Sequence, residues 1–396
     1  MTLRQRFLQG LEPAPPVLGL AVSGGGDSVA LLALAVEAGL TCRAVTVDHG
    51  LRPEAAAEAR DVAALCARLG VPHRTLRWSW DGRGNLPDAA RRARRALIAS
   101  WARDEGVGTV ALGHTRDDVA ETFLMRLARG AGLDGLAAMS ARWDEGGLTW
   151  CRPLIGIGRQ ELRDALAERG LTWAEDPTND DPAYDRARAR AALAALPLGL
   201  TTERLADVAG HLAAARRALD AATATAARHH LQVDRGDVLI DPQGLEPELL
   251  RRLVLRGIAW IGGAGYPPRA AAVARALEAL TVGRPASVQG CGMVAQNGRF
   301  RLYRDWSAVR GLRVPVGARW DRWRLTGPAQ DGVTIAALGP EGLLCCPEWR
   351  AEGLPRRSLM ASPAVWEGAN LVAAPLAGRA EGWSAALDPP PGRISH

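Results

Sequence analysis

Apolar residues in the first third of the chain fall into two alternating textures. Short runs have the length and β-forming content of strands: Val17 to Val22 (VLGLAV), Cys42 to Val47 (CRAVTV) and Thr109 to Gly113 (TVALG), with His73 to Trp78 another candidate strand. Between them lie stretches with helical spacing. These are Val29 to Ala38 ending at Gly39, EAAAEARDVAALCARLG opened by Pro53 and closed by Gly70, Pro87 to Glu105, and VAETFLMRLARG. Strands alternating with helices of this length predict a doubly wound parallel α/β sheet. Such sheets bind ligands at the edge formed by the carboxyl ends of their strands.

Farther along, the strand texture fades. Arg152-Pro153-Leu154 leads to a helix expected over Arg159 to Arg169, then to WAEDPTNDDPAYDRARARAALAALP. A long Ala- and Arg-rich helix is expected from Thr201 to Gln232, with shorter ones over Pro247 to Trp260 and Pro268 to Leu280. From Ala286 the pattern changes again. VQGCGMVAQNGRFRLYR reads as a hairpin turning at Asn297-Gly298, and the last stretch mixes Gly, Pro and Trp with β-like runs such as GVTIAAL. Three regions are therefore expected: an α/β domain over 1–199, a helical domain over 200–283, and a smaller α+β region over 284–396.

The first strand stops at Ser23, and Gly24, Gly25, Gly26, Asp27 and Ser28 follow before the helix begins. Glycines let backbone approach an anion, and the unpaired amides of a helix's first turn, with Asp27 or Ser28 as cap, point at it. The plain alternative is a glycine-rich turn holding nothing. The spacing is not that of a Walker A loop, and the 396 residues contain no lysine, which excludes a P-loop NTPase. SGGGDS instead resembles the pyrophosphate loop (SGGxDS) of the N-type ATP pyrophosphatases, the PP-loop superfamily. That resemblance implies cleavage of ATP between its α and β phosphates.

Two further polar groups end strands of the same sheet. Asp48-His49-Gly50-Leu51-Arg52 follows the second strand, where a carboxylate can hold Mg²⁺ through water. His114, Asp117, Asp118 and Glu121 follow the fourth, with i, i+3 and i, i+4 spacings that let two carboxylates share a helix face. Helix capping accounts for one of those aspartates but not for the set. Arg91, Arg92, Arg94 and Arg95 lie on one helix, and Arg94 is the one expected to face the sheet edge. The acidic turn Glu175 to Asp180 precedes Arg186, Arg188 and Arg190, whose alternation does not form a single stripe. A basic segment there would suit an RNA backbone.

Composition narrows the classes. Hydrophobic residues at 47% and charged residues at 23% are ordinary for a soluble globular protein. No apolar run approaches the roughly 20 residues of a membrane span, and the N-terminus lacks an apolar signal core, so a cytoplasmic protein is expected. A net charge of +6 is compatible with a nucleic-acid partner. The six cysteines include no CxxC pair, which fits a reducing compartment and offers no zinc or iron–sulfur spacing. Metal ligands are left unassigned.

Taken together, SGGGDS, VDHGLR, GNLPDAARRARRAL, ALGHTRDDVAETFLMRLARGAGLDGLAAM, RPLIGIGRQELRDAL and WAEDPTNDDPAYDRARAR resemble the bacterial tRNA(Ile)-lysidine synthetases over the first half of the chain. The resemblance implies ATP and Mg²⁺ as cofactors, and tRNA(Ile) with a CAU anticodon and free L-lysine as substrates. Ser23 to Ser28 with Asp48 and His49 would bind the nucleotide. Asp27, Arg94 and Asp118 would be catalytic, and His114, Asp117, Glu121, Arg186, Arg188 and Arg190 would meet the substrates. The reaction implied is adenylation of the wobble cytidine and displacement of AMP by lysine. Two departures are Ala187, where the family usually has Asn after the motif Arg, and Arg95-Ala96, where it often has Arg-Tyr. Competing readings are a tRNA thiolase, a small-molecule synthetase of the GMP or NAD type, and an RNA-binding protein with a vestigial nucleotide fold. A homodimer is left open.

Overall fold

The structure is a computed structural model describing residues 1–50, 55–80, 82, 85–175, 181, 183–263, 266–328 and 331–388. The chain divides into two units, Met1–Arg216 and Arg217–His396.

In the first unit, α1 (Leu3–Gly10) precedes an alternating series. It runs β1 (Leu18–Ala21), α2 (Gly26–Glu37), β2 (Cys42–Asp48), α3 (Ala55–Arg68), β3 (His73–Arg77), α4 (Leu86–Asp104), β4 (Thr109–Leu112) and α5 (Arg116–Leu127). A short α6 (Leu133–Leu136), the strands β5 (Arg142–Glu145) and β6 (Leu148–Cys151), and α7 (Arg159–Glu168) and α8 (Asp185–Ala194) follow, and α9 (Thr202–His230) begins in this unit and ends in the second. The six strands order as β3-β2-β1-β4-β6-β5. All neighbours are parallel except β5, which runs back along β6.

The expected parallel sheet is therefore present, and its burial explains the unbroken apolar texture of β1. Leu18, Leu20 and Val22 join Leu31, Leu32, Leu154 and Leu162 in the core on one face. Ala21 joins Ile98, Trp101, Val110 and Trp150 on the other. A strand covered on both sides has no polar face to alternate with. The order reverses at β1, with β2 on one side and β4 on the other, which opens a crevice at their carboxyl ends. Gly113, leaving β4, lines this crevice. A Cβ there would stand 3.0 Å from the Asp27 carbonyl oxygen and the Ser28 Cα, so glycine permits the close approach.

The second unit carries β7 (Leu231–Asp234), β8 (Asp237–Ile240), α10 (Pro247–Gly262), α11 (Ala270–Thr281), β9 (Ala286–Val288), β10 (Cys291–Gln296) and β11 (Arg299–Arg304). The strands form an antiparallel sheet, β7-β8-β11-β10-β9. Asn297 and Gly298 both take positive φ, as the expected hairpin turn requires. Leu253, Ile258 and Ile261 of α10 and Val273 and Leu280 of α11 share one core with Val238, Ile240, Met293 and Leu302 of the sheet. The helices expected as a separate domain over 200–283 thus pack with strands from either side of them in sequence. The remaining strands are β12 (Arg313–Pro315), β13 (Trp323–Thr326), β14 (Val333–Ala337), β15 (Pro363–Glu367), β16 (Asn370–Ala373) and β17 (Ser384–Leu387). They form a four-stranded sheet, β12-β14-β15-β16, and the pair β13-β17, with Trp320, Trp323 and Trp383 buried among them. Among the described residues, no helix is long and apolar enough to cross a membrane.

Leu31, in the middle of α2, is fully buried beneath β1. Leu31→Ala is expected to cost about 3 kcal/mol through lost transfer energy and the cavity left behind. The check is a lower denaturant midpoint at unchanged slope. A loss under about 1 kcal/mol would show that this packing does not hold α2 to the sheet.

Candidate active site

The glycine loop is braced by its own serine. Ser28 Oγ accepts from the Ser23 amide at 3.1 Å and from Ser23 Oγ at 3.3 Å, and donates to the Gly25 carbonyl at 2.9 Å. That uses the whole capacity of one hydroxyl. Gly24 takes φ +93°, a conformation that favours glycine. The Gly24 carbonyl accepts from the Ala174 amide at 3.0 Å, tying the loop to the segment before α8. Helix α2 starts earlier than the apolar pattern suggests: Gly25 is its N-cap, with no side-chain cap bond, and Asp27 lies in the first turn. The cap is thus neither Asp27 nor Ser28. Capping by glycine backbone leaves the Asp27 side chain free for other contacts.

A cleft of about 650 Å³ opens beside the loop. Ser23, Gly25, Gly26, Asp27 and Ser28 line it, with Asp48 and His49 after β2, Arg94 from α4, and Gly113, His114 and Asp118 after β4. Arg159, Arg163, Glu175, Arg186 and Arg190 complete the charged wall together with Glu58. The lining carries as many arginines as carboxylates. Leu51 and Arg52 of the second motif, and Asp176 to Asp180 of the acidic turn, lie outside the described residues.

Arg159 is the centre of this arrangement, and sequence reasoning passed over it as merely the start of a helix. Its Nε donates to Asp27 Oδ2 at 3.1 Å, and its Nη1 donates to Glu121 Oε1 at 2.9 Å. Its Nη2 lies 3.6 Å from Asp118 Oδ1, and its backbone amide donates to Asp117 Oδ2 at 2.7 Å. One residue at the first position of α7 therefore gathers every carboxylate of the Asp27, Asp117, Asp118 and Glu121 group. The three side-chain partners hold its guanidinium protonated against the opposing pull of burial.

The four carboxylates have separate duties. Asp117 caps α7 at the amide of Arg159, where a negative charge suits the helix N-terminus. Asp118 Oδ2 accepts from the Thr115 amide at 2.9 Å and from Thr115 Oγ1 at 3.0 Å. Burial pushes the Asp118 carboxyl up, but the Thr115 amide, Arg159, His114 and Arg186 outweigh it and hold it below its usual range. Asp27 goes the other way. Burial raises it, Arg159 opposes, and Asp118 and Asp117 add to the rise. Asp27 Oδ1 and Glu121 Oε2 are buried with no hydrogen-bond partner among the described residues. Glu121 Oε1 takes a second donor, Arg190 Nε, at 2.7 Å.

On α8 the arginines sort by helical geometry. Arg186 and Arg190, one turn apart, both reach toward Glu121, and Arg186 Nη2 also lies 3.7 Å from Asp118 Oδ1. Arg188 is turned away and pairs with Asp185 instead. On α4, Arg94 lines the cleft, Arg92 pairs with Asp88 on the exposed side, and Arg95 donates to Glu145 at 3.3 Å. His49 meets Trp78 edge-on at 5.7 Å, and burial and Arg94 keep its ring below the usual histidine range. No cysteine lines the cleft, and burial pushes the thiols of Cys42, Cys66 and Cys151 up to about 11. A thiolate nucleophile has no place among these groups.

A family profile described as a PP-loop domain matches residues 2–196. The chain is similar to a protein named tRNA(Ile)-lysidine synthase from Ruegeria pomeroyi, 53% identical over 94% of this chain and 92% of that one. Like-named proteins from Zymomonas mobilis and Bradyrhizobium diazoefficiens are 42% and 41% identical, over 74% and 72% of this chain and 90% and 83% of theirs.

Arg159→Met is expected to lower stability by about 3 kcal/mol, because it removes the counter-charge that three carboxylates share and leaves the group with excess negative charge. Adding Glu121→Gln should recover about 1 kcal/mol by removing one of those negative charges. Denaturant unfolding of both variants is the check. A double variant no more stable than the single would mean that lost packing, not charge, dominates.

Proposed function

The chain belongs to the tRNA(Ile)-lysidine synthase family, and from that premise we propose that it joins free lysine to carbon 2 of the wobble cytidine in CAU-anticodon tRNA(Ile) at the expense of ATP. The observation that carries this reading is the position of the SGGGDS loop. It lines one wall of a cleft whose other walls hold the Asp118 carboxylate and the α8 arginines Arg186 and Arg190. The family sits in the cytoplasm on this reading, consistent with the six free cysteines.

The loop amides and the N-terminus of α2 suit the β and γ phosphates of ATP. Arg94, on the facing helix, suits charge that develops at the α phosphorus. Cytidine O2 attacks that phosphorus, forming an O–P bond and breaking the bond to pyrophosphate. The lysine side-chain amine, once deprotonated, then adds to carbon 2, and AMP leaves carrying O2. Asp118 lines the cleft, with its Oδ1 3.6 Å from Arg159 Nη2 and 3.7 Å from Arg186 Nη2. It therefore suits an incoming ammonium group and its departing proton, while Glu121 is buried as the partner of Arg159 and Arg190. Among the described residues, no cluster of three or more His, Cys, Asp or Glu side chains is present to cage a metal. Mg²⁺ held mainly by phosphates and water, with Asp27 Oδ1 as its protein contact, fits that donor set. When bound, the ion would neutralise charge on the leaving pyrophosphate.

The target base has to be splayed from its loop to reach the cleft. Arg186 and Arg190 suit the surrounding RNA backbone, and the second unit suits the rest of the tRNA. Arg188, paired with Asp185 on the outer face, suits RNA farther from the reacting base.

The test is incubation with ATP, radiolabelled lysine and tRNA(Ile), followed by recovery of label in tRNA. Asp27→Ala and Ser28→Ala are expected to abolish pyrophosphate release while tRNA still binds. No tRNA-dependent incorporation by the unaltered chain would reject the reading. Affinity for tRNA should also fall steeply as salt rises from about 50 to 200 mM, because arginines displace phosphate counterions. Salt-independent binding would count against an arginine clamp.

A further inference from the structure

His114 leaves β4 beside the glycine loop and lines the cleft, and one neighbour decides where its ring proton sits. Arg152 Nε lies 3.1 Å from His114 Nδ1. A guanidinium has donors only, so Nδ1 has to accept, and an accepting ring nitrogen carries no proton. Arg152 is held firmly in this role. It is buried, its Nη1 donates to the Ser140 carbonyl at 2.5 Å, and its guanidinium carbon lies 4.1 Å from the centre of the Trp143 ring. Trp143 in turn stacks on the buried Trp150, with ring centroids 6.0 Å apart and planes 13° from parallel. Both tryptophans belong to the β5–β6 hairpin, the antiparallel addition at the edge of the sheet. His114 Nε2 makes no hydrogen bond to a described residue.

We infer that Arg152 is a positioning residue that fixes His114 as its neutral Nε2–H tautomer, so that His114 presents a hydrogen-bond donor, not a base, to the cleft. The inference rests on the proposed reaction only for what receives that donation: an oxygen of the phosphate carried by the activated base and then by the leaving AMP. The charged groups facing the ring are Asp118 on α5, Arg152 after β6, Arg186 on α8 and Arg94 on α4. Burial and the three arginines outweigh Asp118 and push the imidazole down to about 4. It follows that protonating the unfolded chain, but not the folded one, removes stability as pH falls from about 6.5 toward 4. Proton removal from the lysine amine then falls to the carboxylates.

The experiment is a two-bond proton–nitrogen spectrum of the full chain labelled with ¹⁵N-histidine. One of the seven histidines is assigned to His114 by the signal missing in His114→Gln. The expected signal shows Nε2 protonated, Nδ1 bare, and no titration above about pH 5. Arg152→Met should mix the tautomers and raise the midpoint toward the ordinary histidine value, whereas Arg152→Lys, keeping charge and donor, should retain the unaltered pattern. In lysine transfer, His114→Gln, which keeps an N–H, should stay within about tenfold of the unaltered kcat, and His114→Ala should lose about 100-fold. A proton on Nδ1 in the unaltered chain, titration near 6.5, or equal losses for Gln and Ala would overturn the inference. Should Arg152→Met fail to fold, the spectrum of the unaltered chain decides alone. If no lysine is transferred while the spectrum is as expected, the proposed function falls and the tautomer assignment stands.

Discussion

A single guanidinium links the acidic heart of the first unit. Asp27, Asp118 and Glu121 come from two helices that begin at the same sheet edge, and Arg159 opens a third helix there and touches all three. Carboxylates packed this closely and this deeply would repel one another and any phosphate brought near them. With Arg159 between them, and Arg186 and Arg190 reaching Asp118 and Glu121 from α8, three guanidiniums balance the three carboxylates. Helix N-termini, which favour negative charge, add to the same balance. The cleft can therefore keep acidic groups beside a glycine loop suited to polyphosphate, two features that would otherwise oppose each other.

The same geometry explains what the sequence made legible. The strand–glycine–helix passage at Ser23 to Ser28 could be read because its signals are local: an apolar run, three glycines and a helical pattern in succession. The centre of the parallel sheet could be read because burial on both faces leaves β1 and β4 without polar alternation. Arg159 could not be read this way. Its partners lie far away in sequence, and one arginine after a glycine at a helix start is an ordinary surface feature. Only the meeting of α2, α5 and α7 gives it three carboxylates.

The three alternate arginines of α8 form no single stripe, as their spacing implied: Arg188 points out, while Arg186 and Arg190, one turn apart, share the side that meets Glu121. The helices of the second unit looked like a domain of their own because their apolar faces were visible and their partner was not. That partner is a sheet whose strands precede and follow them. LQVDRGDVLI did carry a signal for its first hairpin, in alternating apolar residues around Arg235-Gly236, both with positive φ.

The chain's lack of lysine also bears on the proposed chemistry. An adenylated base is an electrophile waiting for an amine. Every fixed side-chain cation around the cleft is a guanidinium, which stays protonated and is a poor nucleophile. Arg94, Arg159, Arg186 and Arg190 can therefore crowd an activated base without attacking it. Whatever the origin of the compositional bias, it leaves the cleft wall with no lysine side chain to compete with the substrate amine. Cys42, Cys66 and Cys151 of the first unit are buried, which removes the next most reactive side chain from the same space. Selectivity for an external amine then follows as much from what the wall lacks as from the carboxylates that would receive it.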